Sequence, residues 1–223
     1  MIAHVGGMIR SGSALQYNIT RQVVSSVPGN RTVHVNENIC NIIQKWYKRP
    51  EFVVNKGHFI HYYEQRHVAY IKLLLTYRDI RDIVVSTMKF RNASFEEVAS
   101  TNYVETIARE QEWLKFIPPE QVHRVKYSDL YQNIAEEALA IADFLGIPIS
   151  NEKANEIAEN LSIKHMRPIL ATMNNMNAFT QYSPTQIQGV VPRQWETQLT
   201  SAQVDEIMSD ARIADWMQEN GYL

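Results

Sequence analysis

Three short stretches of the chain carry residue types that handle anions and protons. The first is Gly7-Met8-Ile9-Arg10-Ser11-Gly12-Ser13, a G-x-x-x-x-G spacing between an apolar run, Ile2 to Val5, and a helical pattern. A loop so placed directs backbone N–H groups and a helix N-terminus at an anion. Gly12 is followed by Ser13-Ala14 and not by Lys-Ser/Thr. The lysine and the magnesium-holding hydroxyl of an ATP- or GTP-hydrolysing loop are therefore missing, while Arg10 puts a cation inside the loop. The alternative reading is a plain glycine turn with an exposed arginine.

The second stretch is Lys56-Gly57-His58, which follows the apolar run Phe52 to Asn55. Histidine ionises near neutrality and suits general-base work. Lys56 suits stabilisation of charge on a leaving group. A lone histidine is otherwise structural or solvated. The third stretch runs from Tyr77 to Ser86. Arg78 ends the apolar run Ile71 to Tyr77, and Ser86 follows at a helical separation of ~12 Å. A guanidinium that reaches part of the way back would share one anion with that hydroxyl. Asp79 and Asp82 suit a helix start; with Arg81 they otherwise read as surface charge. His4, His34, His61, His67, His123 and His165 show no metal-ligand spacing, and the single cysteine, Cys40, excludes a multi-cysteine metal site. Cys40 itself reads as a small buried apolar residue.

These stretches need elements to present them. Ile2–Val5, Phe52–Asn55, Ile71–Tyr77 and Val122–Tyr127 read as strands, the third apolar enough for burial on both faces. Ala14–Val27, 38–47, Asp79–Phe90, Phe95–Phe116 and Ala135–Leu145 read as helices; the remainder is mainly helical, with an irregular stretch from Asn174 to Arg193. Strands alternating with helices predict an α/β fold with a parallel sheet. Ligands of such sheets bind beyond the C-terminal strand ends, where all three stretches fall.

Composition narrows the function classes. The chain has 223 residues, is 45% hydrophobic and 21% charged, and carries a formal net charge of −2. Those values fit one globular domain and argue against disorder and against a generally basic nucleic-acid binder. No run approaches the ~18 apolar residues of a membrane span, and the first residues lack the pattern of a signal peptide. A cytoplasmic location is expected. The sequons at Asn18, Asn30, Asn92 and Asn160 then read as chance matches.

Five segments in order resemble the sulfotransferase family that uses 3′-phosphoadenosine 5′-phosphosulfate (PAPS). IRSGSALQYNI resembles the family's 5′-phosphosulfate loop, NKGHF its K-T-H motif, and TYRDIRDIVVS its R-(D/N)-P-R-D-x-x-x-S 3′-phosphate motif. VKYSDLYQNIAEEALAIADFLGIPI is similar to the Y-E-D-L…F-L-G-(I/L)-P segment, and GVVPRQWETQLTSAQVDEI to the terminal G-x-W…L-T-x-x-Q region.

The resemblance covers nearly the whole chain. It implies one sulfotransferase domain over residues 1–223 with a P-loop-like core and a helical C-terminal part. It implies PAPS as sulfuryl donor without a metal, and a hydroxyl or amine acceptor on a small molecule or carbohydrate. It also implies residue roles. Arg10 contacts the 5′-phosphosulfate, and Ser11, Gly12, Ser13 and Ala14 supply loop amides. His58 is the base, and Lys56 with Arg10 stabilises the transferring group. Arg78 and Ser86 hold the 3′-phosphate, and Tyr127 lies near the adenine. Gly189 and Arg193 are candidates for the family's C-terminal 3′-phosphate loop, followed by Trp195. The sequence departs from the pattern at Ile9 and Ile80 (proline in the family), at Ala14 (a hydroxyl residue) and at Gly57 (threonine). The family's K-x-x-x-T-V-x-x-x-E dimer motif aligns with Glu196–Asp205, with Glu196, Ser201 and Asp205 at three of its fixed positions. A P-loop phosphotransferase and a family member that binds nucleotide without turnover are the rival readings.

Overall fold

The computed structural model describes residues 1–27, 32–35, 52–58, 71–99, 103–172 and 192–223. The expected helix at 38–47, Cys40, Gly189 and most of the irregular stretch from Asn174 lie outside the described residues.

Strand β1 (Ile2–Gly7) is buried along its whole length. It occupies the centre of a five-stranded parallel sheet whose order is β2-β3-β1-β4-β5, with β2 at Thr32–Val35, β3 at Phe52–Lys56, β4 at Ile71–Tyr77 and β5 at Val122–Lys126. Four of these strands are the ones the sequence predicts. The fifth, β2, is an addition: Thr-Val-His-Val is a short β-branched alternation that its brevity hides from a periodicity reading.

Register sets the functional edge. Val5 lies opposite Lys56 of β3 and Leu74 of β4, and Gly7 lies opposite Thr76. The first, second and third stretches therefore leave the sheet side by side. β1 also separates the two halves of the strand order, which makes its C-terminal end the switch point where an open α/β sheet forms its crevice.

Each face of the sheet has its own core. On one side Ala3, Val5, Val54 and Leu74 pack against Tyr17, Ile19, Val23 and Val24 of α1 (Ser13–Ser25). Ala138, Ile141, Ala142 and Leu145 of α6 (Ile134–Leu145) and Ile157 of α7 (Asn151–Leu161) complete it. Leu73 and Leu75, which alternate with Leu74, face the other side with Ile117. There α2 (Ile80–Arg91) joins a second cluster through Ile80, Ile83 and Val84. Its partners include Ile107 of α4 (Tyr103–Phe116) and Ile213, Trp216 and Met217 of α11 (Ala211–Glu219). The helix expected over Phe95–Phe116 is described as two stretches, α3 (Phe95–Ala99) and α4, with 100–102 outside the described residues. The remaining helices are α5 (Tyr127–Gln132), α8 (Ile163–Ala171), α9 (Trp195–Gln198) and α10 (Ser201–Met208). Among the described residues, no helix is long and apolar enough to cross a membrane.

The chain leaves β1 through Gly7 at φ 108°, and a Cβ there would lie 2.3 Å from the Thr76 carbonyl oxygen. Gly146, which ends α6 at φ 68°, has nothing within 4 Å of such a Cβ. Gly7→Ala should destabilise the fold by roughly 2–5 kcal/mol, strain and overpacking together, while Gly146→Ala should cost about 1–2 kcal/mol from backbone strain alone. Urea midpoints of the two variants check this; equal costs would show that the contact of β1 with β4 at Gly7 yields freely.

Candidate active site

The first loop is built inside out. Met8 is buried in the second core cluster, and Ile9 is exposed. Arg10 takes φ 65°, and Gly12 takes φ 104° with Tyr127 so close that a Cβ would meet its ring at 2.5 Å. The buried Ser11 hydroxyl donates to Met8 O (2.6 Å) and shares a hydrogen bond with Thr76 Oγ1 (2.7 Å). Ser11 thus ties the loop to β4, and its hydroxyl is already engaged. Gly12 is the N-cap of α1 and supplies no side-chain cap. The first amides of a helix have no intrahelical acceptor, so the N–H groups of Ser13 and Ala14 and the positive end of the helix dipole face the loop. Ala14 packs with Met166 and Leu170 of α8, an apolar contact where the family pattern has a hydroxyl.

The expected pairing of Arg78 with Ser86 takes a different form. Ser86 Oγ accepts from Arg10 Nε at 3.1 Å. Arg78 Nη1 donates to the carbonyl of Arg10 at 3.5 Å. Arg10 therefore stands between the two, its guanidinium 4.4 Å over the Phe90 ring. Arg78 lies 4.2 Å over the Tyr127 ring and 3.6 Å from Asp82 Oδ2, and its buried Nε has no hydrogen-bond partner among the described residues. A guanidinium has five N–H donors; here two of its nitrogens meet oxygens at 3.5 and 3.6 Å.

His58 lies against the same loop. Its Nδ1 is 3.2 Å from Gly7 O. A carbonyl only accepts, so Nδ1 carries the proton and Nε2 the lone pair. Burial and then the Lys56 cation push the His58 pKa down to about 4; the Gly7 bond opposes them, and Arg10 adds a smaller lowering effect. Lys56 falls to about 8 through burial and then Arg10. Arg10 is lowered by burial and then Arg78. His4, one strand in, is buried, bonded through Nδ1 to Asn55 Nδ2 (3.0 Å), and lowered to about 4 by burial and then His58.

Arg10, Ser11, Gly12, Ser13, Ala14, Lys56, His58, Arg78, Ser86 and Tyr127 thus share one edge of the sheet. Arg193 joins them by its backbone, since its N donates to Asp82 Oδ2 at 2.9 Å, while its guanidinium turns outward to Glu196. Gly189 lies outside the described residues. The reading of Asp79, Arg81 and Asp82 as surface charge is corrected: all three are buried. Arg81 pairs with Asp79 through two bonds (3.0 and 2.8 Å), lies 3.9 Å over Trp195 and donates to Tyr222 O at 3.1 Å. Thr76 was also missed; its signal is a lone hydroxyl at the end of an apolar strand. Among the described residues no group of three or more His, Cys, Asp or Glu could hold a metal ion.

Comparison with known proteins bears on the fold and the family. No curated protein matches the chain. Solved structures that match include retinol dehydratase in complex with androsterone and inactive cofactor PAP (15% identity, TM-score 0.68, 97% of this chain and 80% of that one). A mouse sulfotransferase, SULT7A1, complexed with PAP also matches (15%, 0.68, 99% and 88%), as does retinol dehydratase with retinol and PAP (14%, 0.65, 97% and 81%). At such identities the likeness is one of fold. The sulfotransferase domain family matches residues 41–221, which takes in Lys56, His58, Arg78, Ser86 and Tyr127 and begins after the Arg10 loop. A match over that share of the sequence places the chain in the sulfotransferase family.

Proposed function

We propose that the protein transfers a sulfuryl group from PAPS to a hydroxyl or amine of a small-molecule or carbohydrate acceptor. The observation that carries this is Arg78, a buried guanidinium whose Nε lacks an acceptor among the described residues, set beside a helix N-terminus whose N-cap is a glycine. Two anion-binding groups on one short edge fit a nucleotide with two phosphate sites. The likeness to PAP-bound structures, two of them with retinol or androsterone, supports the same donor and an alcohol acceptor.

Bound PAPS supplies the sulfuryl group as electrophile. The Gly12–Ala14 amides would hold its 5′ end, Arg78 its 3′-phosphate, and Tyr127 the neighbouring adenine side. Arg10, bonded to Ser86, would join the two ends. His58 Nε2 would remove the acceptor's proton as attack proceeds, with the Nδ1–H bond to Gly7 fixing the ring. Lys56 would stabilise the charge that grows on the leaving oxygen. Fixing the donor at two points aligns it for in-line attack.

Calorimetry tests the donor site. The protein should bind PAP more tightly than AMP, and Arg78→Ala should erase that preference with a loss of about tenfold to a hundredfold in PAP affinity. Equal affinities for PAP and AMP in the unaltered protein would remove Arg78 from the 3′-phosphate.

Turnover tests the base. With saturating PAPS and an accepted alcohol, folded His58→Ala protein should lose ~10²–10⁴-fold in rate and keep its PAP affinity. Activity within about threefold of the unaltered protein, far below that range, would exclude His58 as the base.

A pH titration tests the electrostatics. Two of the influences that lower His58 are the cations Lys56 and Arg10, which a bound anion offsets. PAP should therefore raise the His58 pKa from about 4. NMR titration of the ring with and without PAP reads the sign; an unchanged or lower value would show that the anion does not lie beside Lys56 and Arg10.

A further inference from the structure

Asp82 behaves unlike an ordinary acidic residue in a first helical turn. Such residues stabilise their own helix through the dipole or a capping bond. In α2 that local task is already done by Asp79, whose Oδ1 accepts from Arg81 N at 2.9 Å. Asp82 instead aims both carboxylate oxygens across the chain: Oδ2 accepts from Arg193 N (2.9 Å) and Oδ1 from Trp195 N (3.2 Å). The same Oδ2 lies 3.6 Å from Arg78 Nη2, and the side chains of both partners are almost fully buried. Burying a carboxylate is costly, and a negative charge beside Arg78 opposes an incoming phosphate.

The segment it holds is itself strained. Arg193 adopts φ 66°, a left-handed conformation that costs a non-glycine residue free energy and persists where surroundings over-determine it. Here the over-determination comes from Asp82 below and from Arg81, which packs against Trp195 at 3.9 Å.

We propose that Asp82 is a positioning residue: it locks the 193–195 segment to Arg78, so that discrimination for a 3′-phosphate depends on this carboxylate although it does not touch the nucleotide. The proposal rests on the reading of Arg78 as the 3′-phosphate ligand. Linkage makes the coupling reciprocal. A phosphate that draws on Arg78 leaves Asp82 more fully to the two amides, so the bound 3′-phosphate should tighten the segment.

Asp82→Asn tests this by nucleotide affinity. An amide has one acceptor oxygen, and its NH₂ would face either a backbone N–H or Arg78. PAP affinity should fall about tenfold, as for one charged hydrogen bond lost, with AMP affinity unchanged. If the unaltered protein prefers PAP and Asp82→Asn keeps or increases that preference, the proposal is overturned while Arg78 stands. If the unaltered protein shows no preference, both fall together. Hydrogen exchange on the unaltered protein decides the matter even where the variant does not fold. Saturating PAP should slow exchange of the Arg193 and Trp195 amides and AMP should not; equal or faster exchange with PAP overturns the proposal.

Discussion

Mutual repulsion among buried and half-buried cations is the constraint on which the site depends. Arg10, Lys56 and Arg78 meet at one edge of the sheet, and each acts on a neighbour: Arg78 lowers Arg10, Arg10 lowers Lys56, and Lys56 with Arg10 lowers His58. In every case burial is the larger cause. Like charges in a partly desolvated site repel more strongly than in water. The protein offsets this with soft acceptors rather than with a full set of carboxylates. Phe90 lies under Arg10, Tyr127 under Arg78, and the Arg10 carbonyl receives Arg78. Ring faces and carbonyls attract cations without neutralising them. The field at the edge stays positive, which is the condition an anionic donor needs.

Holding such a cluster requires a frame that does not give. β1 lies at the centre of the sheet, with a core on each side. Its last residue is crowded against Thr76, whose hydroxyl reaches Ser11 in the next turn. The loop is thereby fastened to β4, the strand that carries Arg78. Ile80 contributes from the other direction. It fills the second core, and its N–H reaches Met217 Sδ at 3.4 Å, a bond that the proline of the family pattern lacks the hydrogen to make.

Much of this was legible in the sequence because it is local. The four strands first recognised are apolar runs, and the three functional stretches directly follow three of them. The parallel sheet then brings those stretches together without further information. What was not legible depends on partners far along the chain. Asp79, Arg81 and Asp82 read as surface charge because Arg193, Trp195 and Tyr222 lie 111 to 141 residues away. Helical reach and the family's 3′-phosphate motif both match Ser86 with Arg78. The left-handed turn at Arg10 brings its guanidinium to Ser86 and its carbonyl to Arg78, and no spacing rule reports the φ of a non-glycine residue. β2 escaped because four residues carry too little periodicity.

Gly57 shows how a departure from the family pattern is absorbed. A glycine before His58 has no side chain to brace it and adds backbone freedom. The structure fixes this turn through β1 instead. Gly57 N donates to Val5 O at 3.0 Å, one residue beyond the last paired position of β3, and His58 Nδ1 donates to Gly7 O at 3.2 Å. Two carbonyls of the central strand, two residues apart, therefore hold Gly57 and His58. Behind them His4 and Asn55 are hydrogen-bonded across the same two strands. The position of His58 is set by the register of β1 against β3, two strands whose central residues are buried without interruption, rather than by the identity of residue 57.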